Sequence, residues 1–262
     1  MSTLDCETFD SALRSCAGIL DTTPEALLDS VSRFEYDAQP AEERCLHPYK
    51  DLFLSRTFGM TRNDLPTPSG VCWFHATRVA PGTGFEEGIL PKSAIEERVW
   101  CFLGRLASQW VAPAEWQEFR QNMRGQGAQQ YSWKRVSGLD EGPFAFLVRE
   151  LIFQHEALGN HDYLGVPEIV EDICLSFEET FDWPLKSRFV ESTRRCIVKF
   201  QTYASPPDVL GAALLYIHRA SRGEDFLRAC NAGFDGKNIA IPVSLILRVE
   251  WPGNGGEEEQ HG

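Results

Sequence analysis

Apolar residues recur along this chain with two different periods. Leu27, Leu28, Val31 and Phe34 share one face at helical spacing. They follow Thr22-Thr23-Pro24-Glu25, which offers a capping hydroxyl, a proline suited to a first helical turn and an acid at the positive end of the helix dipole. The first 65 residues therefore read as a helical segment, interrupted by a polar, proline-containing loop from Asp37 to Glu43. Pro66-Thr67-Pro68-Ser69-Gly70 breaks the pattern. Val71-Cys72-Trp73-Phe74-His75 is then a short run of strand formers, which predicts a buried strand ending at His75. A loop through Pro81-Gly82-Thr83-Gly84 leads to Phe85-Glu86-Glu87-Gly88-Ile89-Leu90.

Helical spacing returns in Val99, Phe102, Leu103, Leu106 and Trp110, and again after Pro113 in Trp116, Phe119 and Met123. Residues 124–142, rich in Gln, Gly and Ser, read as a surface loop carrying Tyr131 and Trp133. Phe144, Leu147, Val148, Leu151 and Ile152 predict a helix starting at Pro143. Pro167 opens another, with Ile169, Val170, Ile173, Phe177 and Phe181 inward and Glu168, Glu171, Asp172, Glu178 and Glu179 outward. Arg195 to Gln201 reads as a strand, Ser205-Pro206 as the cap of a helix through His218, and Asp225 to Cys230 as a short helix before a turn at Gly233. Ile239, Ile241, Val243, Leu245, Leu247 and Val249 alternate as one or two strands, with Pro242 at a bulge or edge. The expected fold is α+β: a small split antiparallel or mixed sheet within a largely helical shell. Three segments are expected: a helical one over 1–65, a mixed α/β domain over 66–252 and a disordered acidic tail over 253–262.

The 262 residues carry a formal net charge of −13. That balance argues against broad nucleic-acid binding, which rests on Lys and Arg contacts to phosphates. No apolar run approaches the roughly 20 residues of a membrane span. The N-terminus lacks the basic and apolar regions of a signal peptide. None of the eight cysteines forms a CxxC pair, so reduced thiols in a cytoplasmic protein are expected rather than zinc or disulfides.

Neither a phosphate-binding P-loop nor a G-x-S-x-G elbow is present. His155-Glu156 and His161 are too widely spaced to share a helix face as a metal-binding H-E-x-x-H would. Glu168, Glu171 and Asp172 partly share a face; they read either as a solvated helix surface or as acid–base or cation-holding groups of a metal-dependent hydrolase or nuclease. His75, at the expected end of a buried strand, is placed to direct one ring nitrogen into a cleft. Thr77 adds a hydroxyl and Arg78 a forked donor suited to phosphate. The same residues also read as a satisfied core histidine beside a surface arginine.

The arrangement strand, His75-x-Thr77, then Phe85-x-x-Gly88-Ile89-Leu90 resembles the opening of the ADP-ribosyltransferase superfamily, including bacterial DNA-targeting toxins. The run Lys237 to Val249 resembles that superfamily's closing strand pair. The resemblance implies a split sheet holding NAD, with His75 on the nicotinamide-side ribose, Thr77 and Arg78 near the ribose or pyrophosphate, and Tyr131 as the nearest counterpart of the residue that stacks on nicotinamide. It also implies a carboxylate beside the oxocarbenium-like transition state. The superfamily's glutamate slot here holds Gly236-Lys237-Asn238, which leaves Asp235 or, from elsewhere in the chain, Glu168 as candidates. A nucleotide- or protein-binding module without chemistry is the alternative.

Overall fold

The structure is a computed structural model that describes residues 2–35, 46–137, 141–203 and 208–253. The expected loop over Asp37 to Glu43, the Ser205-Pro206 cap and the tail beyond residue 253 lie outside the described residues. Ten helices are described: α1 Phe9–Ile19, α2 Pro24–Ser32, α3 Leu46–Phe58, α4 Lys92–Ala107, α5 Pro113–Gln121, α6 Gly125–Ser137, α7 His155–Leu158, α8 Glu168–Phe181, α9 Leu185–Ser192 and α10 Val209–Ser221. The strands are β1 Thr3–Leu4, β2 Gly70–Val79, β3 Phe144–Phe146, β4 Arg194–Thr202, β5 Gly233–Asp235 and β6 Ile246–Glu250. The sheet order is β5-β3-β2-β4-β6, with β1 also on β2. β2 is antiparallel to β3 and parallel to β1. The fold is α+β, as the sequence pattern predicts. Among the described residues no helix is long and apolar enough to cross a membrane.

The chain divides into two compact units, and β2 and β4 each begin in one and end in the other. The first comprises Met1–His75, Ala145–Asn160 and Lys199–Phe234. Its centre is α10, buried continuously from Val209 to His218. Sequence explains this: Val209-Leu210-Gly211-Ala212-Ala213-Leu214-Leu215-Tyr216-Ile217 has no polar face to turn to water. The helices α1, α2 and α3 pack around it, so the N-terminal helical segment does not stand alone. Capping fixes where two of them start. Thr8 and Ser11 exchange backbone-to-hydroxyl bonds of 2.9 and 3.1 Å at α1, and the Thr23 hydroxyl accepts from the Ala26 N–H at α2. Lys199 on β4 holds the chain's start by pairing with Asp5 and Glu7, each at 2.6 Å.

The second unit comprises Ala76–Phe144, His161–Val198 and Asp235–Gly262. The helices α4, α5, α6, α8 and α9 enclose Trp100, Trp116, Phe119, Tyr131 and Phe177, whose rings meet at centroid distances of 5.4–6.1 Å. Three expectations are corrected. The Gln- and Gly-rich stretch expected as a loop is the helix α6. A Cβ at Gly127 would stand 2.3 Å from the Asp172 carbonyl oxygen, so glycine there serves close packing of α6 on α8 rather than a turn. The helix expected from Pro143 is instead β3, a 3-10 turn over Arg149–Gln154 and the single turn α7; apolar residues in a short buried run carry too little periodicity to separate the two. Strand β2 does not end at His75 but runs to Val79.

A buried histidine supplies a measurable consequence in the first unit. His218 is 2% exposed, donates from Nδ1 to the Val31 carbonyl at 2.8 Å, and packs against Phe34 and Phe53. Burial lowers its pKa below the ordinary histidine value, against the opposing pull of that carbonyl. The unfolded chain, with an ordinary histidine near 6.5, then binds more protons than the folded one. Its stabilising contribution is complete above that pH and is lost as pH falls below it. The urea midpoint of the wild type should fall between pH 7.5 and 5.5 by more than that of His218→Leu; an equal fall in both would show that other groups govern the acid limb.

Candidate functional site

Strand alternation divides the residues first singled out between two faces of β2. Cys72, Phe74, Ala76 and Arg78 are buried on one, while His75, Thr77 and Val79 are half-buried on the other. His75 and Thr77 thus point the same way along the strand, and Arg78 points away from them.

Arg78 is 7% exposed, and its guanidinium is used by the protein itself. Nε donates to the Thr193 hydroxyl at 3.0 Å and Nη1 to the Leu164 carbonyl at 3.0 Å. Nη2 donates to the carbonyls of Val190 and Thr193 at 2.8 and 2.9 Å. Val190 lies in the last turn of α9 and Thr193 follows it, so these are the orphan carbonyls at the negative end of a helix, where a cation is favoured. The Thr193 hydroxyl in turn donates a hydrogen bond to the Phe189 carbonyl at 2.7 Å. Burial lowers the Arg78 pKa, with the Arg195 charge adding to that and Asp162 opposing it. Four of the five N–H donors of this fork are thus committed to groups of the protein itself.

The turn over residues 85–88, after β2, is built on two left-handed residues, Phe85 at φ 60° and Gly88 at φ 81°. The Gly88 N–H closes the turn on the Phe85 carbonyl at 2.8 Å. Ile89 and Ile241 then exchange backbone bonds, each 2.9 Å, as an isolated antiparallel bridge. The Phe85-x-x-Gly88-Ile89 segment is thereby joined to the C-terminal run. A second tie holds that run: the N–H groups of Gly236 and Asn238 donate to the carbonyls of Pro143 and Gly142 at 3.0 and 2.9 Å. Asp235 is exposed and accepts from the Lys237 N–H at 2.9 Å, closing a local turn in which Lys237 and Asn238 are both left-handed.

Tyr131 lies on the buried side of α6 at 7% exposure. Its hydroxyl accepts from the Trp100 indole at 3.0 Å and donates to Glu96. Burial and the Glu96 carboxylate push its pKa up to about 12. Its ring is packed at 6.0 Å against Trp100 rather than open to stack on a ligand.

Glu168 opens α8 and belongs to a groove of about 510 Å3 lined by Gln129, Gln130, Trp133, Lys134, His161, Glu168, Glu171 and Asp172. Its carboxylate accepts from the Tyr163 hydroxyl at 3.2 Å and lies 3.5 Å from the Lys134 ammonium. Asp172, expected outward, is 2% exposed and bonded to Lys134 at 2.9 Å. Burial raises its pKa, with Lys134 opposing. Among the described residues no group of three or more His, Cys, Asp or Glu is arranged to hold a metal ion. His155 begins α7 in the first unit, whereas His161 belongs to the second.

Trp133, Lys134 and His161 are the groove residues that sequence reasoning did not assemble with the acids. The available signal was the pairing of a basic stretch, Lys134-Arg135, with an acidic helix start. It is hidden because residues 124–142, which include it, read as a surface loop. Comparison with protein-family models, curated proteins and solved structures gives no match.

The Gly88 turn is testable. A Cβ there would fall 2.0 Å from the Ile241 carbonyl oxygen on a backbone already left-handed. Gly88→Ala should cost more than about 2 kcal/mol in urea denaturation. A loss below about 0.5 kcal/mol would mean that the Ile89–Ile241 bridge is not held as described.

Proposed function

We propose that the chain is an NAD-dependent ADP-ribosyltransferase-like protein of the cytoplasm, with an effector or defence role, in which His75 contacts the nicotinamide-side ribose and Thr77 lies near the ribose or the pyrophosphate. The Ile89–Ile241 bridge carries this reading best. It ties the segment that follows the His75-x-Thr77 strand to the C-terminal run, the two parts of the chain on which the resemblance rests. When bound, NAD would supply a glycosidic carbon that becomes positively charged as nicotinamide leaves, a charge that a preplaced carboxylate stabilises. Of the two candidate carboxylates, Glu168 lines an open groove and Asp235 is engaged by its own turn. The fit is partial. Arg78 caps a helix and Tyr131 packs in a core, so neither is free for the pyrophosphate or the nicotinamide ring.

That spending of Arg78 and Tyr131 favours a second reading, a binding module without chemistry for a nucleotide or a protein partner. Calorimetry with NAD, together with chromatographic detection of released nicotinamide, separates the two. Wild type should bind NAD and release nicotinamide, and His75→Ala should lower the release rate tenfold or more while keeping its melting temperature. Binding without release would favour the second reading. An absence of binding would exclude NAD as the ligand and leave the protein partner.

A further inference from the structure

Exposed apolar side chains gather in the C-terminal run of the second unit. Of the nine large apolar side chains left exposed among the described residues, Ile239, Val243, Leu247 and Trp251 all fall there. Leu247 lies in β6 and Trp251 directly follows it. The strand β6 is also a sheet edge: the order β5-β3-β2-β4-β6 ends on it, so among the described residues β4 is its one strand partner. An edge strand with exposed apolar side chains is a template for a further strand.

The order of side chains along β6 says which strand fits. Alternation puts Arg248 and Glu250 on one face and Leu247, Val249 and Trp251 on the other. Arg248 and Glu250 pair with each other at 2.6 Å, and the Arg194 guanidinium sits 3.6 Å from the centre of the Trp251 ring, which holds that ring in place. Now lay a second copy of the strand antiparallel, about a two-fold axis at Val249. Arg248 of each copy comes opposite Glu250 of the other, so each carboxylate has one guanidinium beside it on its own strand and one across. On the other face Leu247 meets Trp251, and Val249 meets its own counterpart, so the exposed apolar groups cover one another. Unlike charges and apolar pairs set directly opposite favour pairing, and like charges oppose it. An axis at Arg248 would set arginine against arginine, so charge selects the register centred on Val249. Pro252 has no N–H to give and ends the ladder there. The edge is therefore complementary to itself in charge and in apolar surface, as a two-fold interface requires.

We infer that the β6 edge docks a second copy of this chain, forming a two-fold dimer in which the two β6 strands pair antiparallel with Arg248 of each opposite Glu250 of the other. One short strand from each copy makes a small interface, so the association is weak, with half-dimerisation at about 10–100 μM. The inference does not rest on the proposed transferase activity and holds whether or not NAD is bound.

Sedimentation velocity of the full chain across that concentration range tests it, with wild type expected to pass from monomer to dimer. Arg248→Glu alone and Glu250→Arg alone each place like charges across the axis and should weaken dimerisation tenfold or more. An equimolar mixture of these two variants should dimerise again, because each altered charge then faces an unlike one. Leu247→Ser, at a side chain 53% exposed, should weaken dimerisation while keeping the wild-type melting temperature, and it decides the matter if a charge variant fails to fold. A wild type that stays monomeric throughout would overturn the inference. So would folded variants that dimerise as tightly as wild type, or a mixture that does not recover, since either would place any association elsewhere on the surface.

Discussion

A buried guanidinium with no carboxylate in direct contact among the described residues is an expensive thing to fold around. Taking Arg78 out of water costs several kcal/mol, and the cost is offset only because its donors meet the carbonyls of Leu164, Val190 and Thr193 and the Thr193 hydroxyl in good geometry. The benefit is reciprocal. The carbonyls of Val190 and Thr193 at the end of α9, which no intrahelical N–H reaches, gain donors from the guanidinium. One side chain thus fixes where α9 stops, how the Leu164 loop approaches and which face of β2 is internal. Because alternation is strict along a strand, seating Arg78 inward also turns His75 and Thr77 to the other side.

The helices of the same unit follow from aromatic packing rather than from helix propensity. Trp100, Trp116, Phe119, Tyr131 and Phe177 form a continuous cluster whose polar ends are satisfied internally, the Trp100 indole by the Tyr131 hydroxyl. Gly127 lets α6 lie close on α8. That close approach forms the walls of the groove and brings Lys134 onto Asp172. The buried carboxylate and its ammonium partner are therefore a product of helix packing. What the groove presents to solvent, Gln129, Gln130 and Trp133 above all, is left over after that packing is complete.

Much of this architecture is legible in the sequence where periodicity is long. The helices α2, α4, α5 and α8 and the strand β4 stand where the apolar spacing puts them, β2 starts where expected, and the Thr23-Pro24 start of α2 is a cap of the expected kind. Short or compositionally unusual elements are not legible. The helix α6 has glycines and glutamines in place of a clear apolar stripe, because its close contacts are made by absent side chains. The segment after Pro143 is apolar at too many positions to distinguish strand from helix. Residue identity at the site was legible, but orientation was not. Arg78 and Tyr131 have the donors and the ring a nucleotide site wants, yet which way a side chain points depends on partners distant in sequence, such as Thr193 for Arg78 and Trp100 for Tyr131. The groove residues were hidden for the same reason, since Trp133, His161 and Glu171 come together only through the packing of α6 on α8.

The account stands on Arg78 being an internal clamp rather than a ligand for phosphate. Urea denaturation of Arg78→Lys, paired with NAD calorimetry on the folded variant, tests this most directly. Lysine keeps the charge but cannot reproduce the fork, so about 3–5 kcal/mol of stability should be lost, as when a partner is removed from a buried charge. Whatever affinity the wild type has for NAD should survive in the molecules that remain folded. Stability within about 0.5 kcal/mol of the wild type, together with loss of NAD binding, would contradict the account and return Arg78 to the role of a phosphate-binding residue.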